Sequence, residues 1–217
     1  MQAVILAAGK GARLRPLTHT VPKPLIDIGD KTLIARALDA LPNAIDEIYL
    51  VVNYLREQII DAVGSSWNGL PIRYLIQEPL TGTAGAVLVL REHLRESFLV
   101  INADDLYNRS DLSVLCRHSW ALLYKPTDDL KQAGALVKDG RFMGLGTSPN
   151  AVCGAYVLGQ AFFDAEPVEI HVSTHREYGL PQTLATLADR LDIRAVQATF
   201  WQQVGTHEEL SAARAKL

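Results

Sequence analysis

The sequence predicts an α/β fold, a mostly parallel sheet with helices on both faces. Three observations carry that prediction. Short apolar runs without polar alternation recur along the first half, as suits strands buried on both faces. Segments with helical spacing separate them. A glycine-rich loop follows the first run directly, at the place where open α/β sheets collect ligands.

The elements follow in order. Ala3-Val-Ile-Leu6 is the first strand. Over 31–41, Leu33, Ile34, Ala37, Leu38 and Leu41 recur at helical spacing, and Pro42-Asn43 ends the helix. Ile48–Val52 is the second strand. Leu55, Ile59 and Val63 mark a helix over 55–63 that Gly64 stops. Ile72–Ile76 is the third strand, an Ala/Leu-rich helix covers 83–91, and Phe98–Ile101 is the fourth strand, leading into Asn102-Ala-Asp-Asp105. The second half changes character. Strand-like pieces at 121–124, 133–137 and 151–158 are separated by turn signals such as Asp139-Gly140, as hairpins added to a parallel core would be. A helix over 180–191, a strand over 193–198 and a last helix to about residue 216 complete the series. Thr206 with Glu209 gives that last helix a capping box. With no repeat or linker, 1–217 reads as one domain.

Composition narrows the function classes. The chain has 217 residues, 48% hydrophobic and 21% charged, with a formal net charge of −3. This is the profile of an ordinary globular domain and gives no reason to expect a nucleic-acid partner. No apolar run approaches the roughly 18 residues that span a bilayer, so no membrane partner is expected. The N-terminus lacks the basic region of a signal peptide. Cys116 and Cys153 are too few for a disulfide framework and lack metal spacing. Both are expected reduced and at least partly buried in a cytoplasmic protein.

Chemistry concentrates in Gly9-Lys-Gly-Ala-Arg13. Two glycines let backbone N–H groups approach an anion. Lys10, Arg13 and Arg15 add positive charge, Arg13 as a planar fork for phosphate oxygens. Pro22-Lys-Pro24 offers a further lysine on a stiffened turn. The dinucleotide fingerprint is excluded because position 14 is leucine, and the P-loop because position 4 is valine and position 11 glycine.

Leu6-Ala-Ala-Gly-Lys-Gly-Ala-Arg-Leu-Arg-Pro-Leu-Thr18 with Pro22-Lys-Pro-Leu25 resembles the signature of the sugar-1-phosphate nucleotidyltransferases. Further segments resemble the same family. Val51–Ile59 looks like its second strand and following helix, Gln77–Ala84 like its base-recognition segment, and Val100-Ile-Asn-Ala-Asp104 like its metal-binding strand end. Trp201–Thr206 resembles its C-terminal Trp-x-Asp-x-Gly-Thr motif. The compact length looks most like the N-acetylmuramate-1-phosphate uridylyltransferase type. The resemblance implies a Rossmann-like, GT-A-like nucleotidyltransferase fold, with a nucleotide-binding half (1–110) and a sugar-binding half (111–217). It also implies an enzyme that joins a nucleoside monophosphate, from UTP first, to a sugar 1-phosphate with release of pyrophosphate.

Residue by residue, it assigns Ala8, Gly9, Gly11 and Arg13 to the triphosphate, and Lys23 to phosphates near the reacting centre. It assigns Gln77, Gly82 and Thr83 to the nucleotide, with Gln77 and Gly82 against the base, Asn102, Gly154 and Glu177 to the sugar, and Asp104 to Mg²⁺. Arg13, Lys23 and Asp104 are the expected catalytic set. Asp105 reads as a solvated turn residue. Gly154 is read equally well as a glycine tolerated in a strand. Two departures stand out. Gln203 occupies the place of the family's second metal-binding aspartate. Met143–Pro149 lacks the lysine of the family's Glu-Lys-Pro element. They leave open a nucleotide-binding homologue without catalysis, acting as a sensor or partner subunit. A cytidylyltransferase acting on a non-sugar phosphate is the third reading. His171 and His175, with Glu169 nearby, are read as a solvated loop because Val172-Ser-Thr174 disfavours a helix. Trp201 is read as core packing, and His207 either as a stand-in metal ligand or as a helix N-terminal residue.

Overall fold

The computed structural model describes residues 1–172 and 175–216, with the backbone alone for His175. In chain order the elements are β1 (Gln2–Ala7), β2 (Asp27–Ile28), β3 (Lys31–Thr32), α1 (Leu33–Asp39), β4 (Glu47–Val52), α2 (Arg56–Val63), β5 (Ser66–Trp67) and β6 (Leu70–Ile76). Then come α3 (Gly82–Leu88), β7 (Ser97–Asn102), β8 (Asp105–Tyr107), α4 (Arg109–Leu115), β9 (Ala121–Lys138) and β10 (Arg141–Gly159). The rest are β11 (Glu169–Val172), β12 (His175–Tyr178), α5 (Leu180–Ala185), β13 (Arg194–Gln197), β14 (Trp201–Gln203) and α6 (His207–Ala215).

Among the described residues the main sheet has eight strands in the order β13-β9-β10-β7-β1-β4-β6-β5. Its centre, β7-β1-β4-β6, is parallel, while β10 joins β7 and β9 antiparallel. The expected α/β class and its mostly parallel core are therefore present. Alternation along the strands splits the core in two. Ile5, Ile48, Leu50 and Leu99 face a layer formed by α1, α2 and α4, whereas Val4, Val51, Phe98 and Val100 face α3 and α5. A third, smaller core joins Leu14, Ile28, Leu33 and Leu106 to Val204, Leu210 and Ala213. The leucine that excludes the dinucleotide fingerprint is thus fully buried in this third core. Cys153 is buried and Cys116 half-buried, both as free thiols. No helix among the described residues is long and apolar enough to cross a membrane.

Three expectations change. The helix expected over 180–191 ends at Ala185, and the one over 83–91 at Leu88. The pieces at 121–124 and 133–137 are one long strand, β9, whose pairing with β10 is interrupted by four register shifts. Bulges of this kind bend strands and break their sequence pattern. The stretch around His171 is not a loop. β11 and β12 form an antiparallel hairpin with His171 opposite Arg176, because β-branched residues that disfavour a helix favour a strand. Residues 173 and 174 lie outside the described residues.

Candidate active site

The C-terminal ends of the parallel strands open into a cleft of about 600 Å³, ordinary for a small-molecule site. The loop after β1 forms one wall. Its Gly11 is left-handed (φ +60), and a Cβ there would lie 2.9 Å from Lys23 Cβ and 3.0 Å from Thr18 Cγ2. Glycine is therefore required twice over, by conformation and by the packing of Lys23. Thr18 Oγ1 donates to the Gly11 carbonyl at 2.8 Å and ties the turn. Gly9 has open space where a Cβ would be. Ala8, Gly9, Gly11 and Arg13 all line the cleft.

Lys23 is only 7% exposed. Its Nζ forms an ion pair with the Asp104 carboxylate, in the turn between β7 and β8. Burying an ammonium requires such a partner. On the opposite wall, Gln77 is buried at the end of β6. Its Nε2 donates to the Gly82 carbonyl at 2.9 Å and to Thr81 Oγ1 at 3.3 Å. Gly82, Thr83, Asn102 and Glu177 complete the wall. Gly82 is also obligatory: its φ is +89, and a Cβ would lie 2.6 Å from Tyr178 O and 2.8 Å from Tyr178 N. The Tyr178 N–H donates to Thr81 O at 2.7 Å, so the β11–β12 hairpin is fastened over the cleft.

A second cavity of about 260 Å³ shares Leu6, Thr83 and Asn102 with the first. Gly154 lines it and is a required residue rather than a tolerated one. It has φ +65, and a Cβ would fall 2.2 Å from Asn102 Nδ2. Asp105 lines it too and is not a solvated turn residue. It is 4% exposed in β8 and accepts from Asn102 Nδ2 at 3.2 Å and Tyr107 Oη at 3.4 Å. Burial, and then the neighbouring Asp104 charge, push its carboxyl up to about 7. Gln203 is the register partner of Asp105 and lines the same cavity, whereas Asp104 and Lys23 line the larger one. No residue of 143–149 lines either cavity among the described residues. Among those residues no group of three His, Cys, Asp or Glu side chains is poised for a metal. His207 is occupied, its Nε2–H donating to the Arg15 carbonyl at 3.0 Å. Glu169 pairs with Arg176 at 2.9 Å. Trp201 packs partly against the first core and also lines the smaller cavity, with its Nε1 buried.

Two residues escape a reading of the sequence. Gly205 lines the cleft beside Arg13, and a Cβ on it would lie 2.8 Å from Arg13 Nη2 and 3.1 Å from Cζ. Its place in the quoted C-terminal motif was the available signal. Gln182, at the mouth of α5, lines the smaller cavity and has no such signal.

Known proteins resemble this chain along most of its length. Residues 2–122, more than half of the chain, match the family model described as nucleotidyl transferase. The bifunctional protein GlmU of Methanocaldococcus jannaschii is 37% identical over 139 residues, 64% of this chain and 33% of the relative, so the chain spans about a third of that protein. A D-glycero-α-D-manno-heptose 1-phosphate guanylyltransferase of Aneurinibacillus thermoaerophilus is 27% identical over 191 residues, 82% of this chain and 83% of the relative. The structure of a UDP-glucose pyrophosphorylase complexed with UDP-glucose superposes with a TM-score of 0.81 at 21% identity, covering 99% of this chain and 97% of that one. With the glycine-rich loop, the paired lysine and the strand-end cleft in place, the match over residues 2–122 shows that the chain belongs to the nucleotidyl transferase family.

Proposed function

We propose that this protein transfers a nucleoside monophosphate from a nucleoside triphosphate, UTP first, to a sugar 1-phosphate and releases pyrophosphate. One observation carries the reading: two cavities with shared walls, the larger holding the phosphate loop, Lys23 and Gln77. Two anionic substrates can meet there in line. The heptose 1-phosphate guanylyltransferase and the UDP-glucose pyrophosphorylase support a sugar 1-phosphate as acceptor.

The chemistry needs little from the protein beyond charge and alignment. A phosphate monoester has a second pKa of about 6 and arrives largely ionised, so no general base is required. Arg13 and the Gly9–Gly11 backbone hold the triphosphate. Lys23 Nζ, released from Asp104, neutralises charge at the reacting phosphate. Gln77 reads the base. With Nε2 committed to Thr81 and Gly82, its Oε1 is left as an acceptor. An acceptor there suits the imino N–H of uracil, thymine or guanine and opposes cytosine, whose N3 also accepts.

The donor set fits Mg²⁺. This ion binds through one or two carboxylates plus substrate phosphates, and Asp104 offers a carboxylate 32% exposed to the cleft beside Lys23. When bound, the ion would supply positive charge to the triphosphate oxygens. Gln203, opposite Asp105 in register, lines the other cavity and offers only a neutral amide oxygen, which leaves Asp104 as the carboxylate for the ion. The test is a pyrophosphate-release screen of UTP, dTTP, GTP, CTP and ATP against a panel of sugar 1-phosphates with Mg²⁺. Turnover with UTP ahead of CTP is expected. Absence of turnover with every pair, despite measured nucleotide binding, overturns the reading.

A further inference from the structure

Lys23 and Asp104 both line the larger cleft, yet they are bonded to each other. Among the described residues the Asp104 carboxylate is the one hydrogen-bond partner of Lys23 Nζ. The lysine side chain is 9% exposed and the aspartate 32%. The lysine stem is fixed as well. A Cβ built on Gly11 would lie 2.9 Å from Lys23 Cβ and 3.5 Å from Lys23 Cδ, so the stem packs under the glycine-rich loop. The ammonium end is the part that can change partner. Two demands therefore compete for it. A buried ammonium needs a counter-charge, and here that is a single carboxylate. A divalent cation on the same carboxylate would face the ammonium at short range, where like charges repel strongly. A phosphate drawn to Lys23 would face the Asp104 carboxylate with the same penalty. Gln203 brings no second carboxylate to share a cation, and among the described residues no group of three His, Cys, Asp or Glu side chains is poised to hold one. Each ligand alone must break the pair, whereas the two together replace it.

We propose that the Lys23–Asp104 pair is a mutual mask that makes a divalent cation and a triphosphate bind this cleft as one, a reading that rests on the transferase function above. Without nucleotide, Lys23 holds Asp104 and weakens its hold on a cation. Without a cation, Asp104 holds Lys23 and weakens its hold on phosphate. The coupling is reciprocal, because each ligand lowers the cost of admitting the other. Removing either half of the pair should therefore strengthen binding of the ligand that belongs to the other half. That sign is the opposite of a simple loss of contacts, in which neither substitution improves any affinity.

The experiment measures Mn²⁺ binding to nucleotide-free protein, by electron paramagnetic resonance of the free ion, and UTP binding in EDTA, by calorimetry. Lys23→Met should bind Mn²⁺ about 10-fold or more tightly than wild type. Adding Asp104→Asn to that variant should abolish the gain, which locates it at the carboxylate. Lys10→Met removes an exposed charge from the same cleft wall and should change Mn²⁺ affinity by less than about 3-fold, because exposed charges are screened. Asp104→Asn alone should bind metal-free UTP about 5-fold or more tightly than wild type. Each substitution keeps the length of the side chain it replaces, and either one decides alone where the variant melts cooperatively. Mn²⁺ bound no more tightly by Lys23→Met, or metal-free UTP bound no more tightly by Asp104→Asn, overturns the inference while the transferase reading stands. If wild type binds no UTP with or without Mn²⁺, both fall.

Discussion

Replacing Gly82 with alanine should loosen the cover of the larger cleft, by an amount the structure sets. The new Cβ would lie 2.6 Å from Tyr178 O, 2.7 Å from Glu177 Cβ and 2.8 Å from Tyr178 N. Two of these are backbone atoms, which cannot swing aside as a flexible side chain can, so β12 must retreat by more than half an ångström to reach ordinary contact. That movement breaks the 2.7 Å bond from Tyr178 N to Thr81 O, a loss of about 0.5–1.5 kcal/mol. Holding alanine at φ +89 costs about 1–3 kcal/mol more. The sum is about 1.5–4.5 kcal/mol, or about 3–18 °C of melting temperature for a domain of this length. Glu177 and Val172 leave the cleft wall with the strand, and nucleotide affinity should fall about tenfold or more. Gly64→Ala is the control. It has φ +75 but nothing within 4 Å of its Cβ position, so it reports backbone strain alone. Thermal unfolding and calorimetry with nucleotide check both variants. If Gly82→Ala melts no lower than Gly64→Ala and binds nucleotide normally, the argument that this glycine seats the hairpin is wrong.

Gly205→Ala should act differently. Its Cβ meets the guanidinium of Arg13, the far end of a flexible and exposed side chain, so melting should fall by less than about 3 °C while KM for the nucleotide rises about tenfold. Equal losses of stability and affinity would contradict this. Asp104→Asn removes the partner of the buried Lys23, and activity should drop at least about 10- to 100-fold, with the Mg²⁺ concentration needed for half-maximal rate rising in step. An unchanged metal titration would remove Asp104 from the metal's ligands. Glu47 has its carboxyl held below the usual range, first by the Gln2 amide at 2.7 Å and then by Arg73 at 2.6 Å. A depressed folded value means stability present above the unfolded pKa of about 4.3, lost as pH falls through the folded value. The melting-temperature gap between wild type and Glu47→Gln should therefore shrink as pH is lowered from 7 to 3; a gap independent of pH refutes the linkage.

How much of this was legible depended on whether burial was two-sided. β1, β4 and β7 are buried on both faces, so their apolar runs stood out without alternation. The β9–β10 pair was read as fragments because its bulges reset the pattern, as at Gly154, where the chain turns left-handed to clear Asn102. The β11–β12 hairpin was missed because Glu169, His171 and Arg176 are exposed and its strands carry little apolar signal. Asp105 was misread for another reason. An acidic pair after a strand looks like a turn, and only tertiary pairing with β14 shows that the second carboxyl is buried. The cleft residues from Ala8 to Asp104 were legible because loops at strand ends concentrate unusual residue types in short spans. Gln182 was not, because a glutamine in the first turn of a short helix looks like any surface residue.

The glycine-rich loop after β1 is local in sequence but not in stability. Two glycines and an arginine can shape an anion site, yet the loop between β1 and β2 has only short helical turns of its own, and a conformation built on a left-handed Gly11 needs outside support. That support comes from the other end of the described chain. Leu14 is buried with Val204, Leu210 and Ala213, and burying one such leucine contributes about 1.5–3 kcal/mol. His207 binds the Arg15 carbonyl, Arg214 binds the Asp27 carbonyl at 3.0 Å, and Glu209 accepts from the N–H groups of Gly205 and Thr206 at 2.6 and 3.0 Å, beneath Arg13. The capping box of α6 therefore fixes more than a helix start: it sets the glycine over which Arg13 lies. For this reason the C-terminal Val204-Gly-Thr206 belongs to the wall of the cleft as much as Gly9-Lys-Gly11 does, although about 190 residues separate them along the chain.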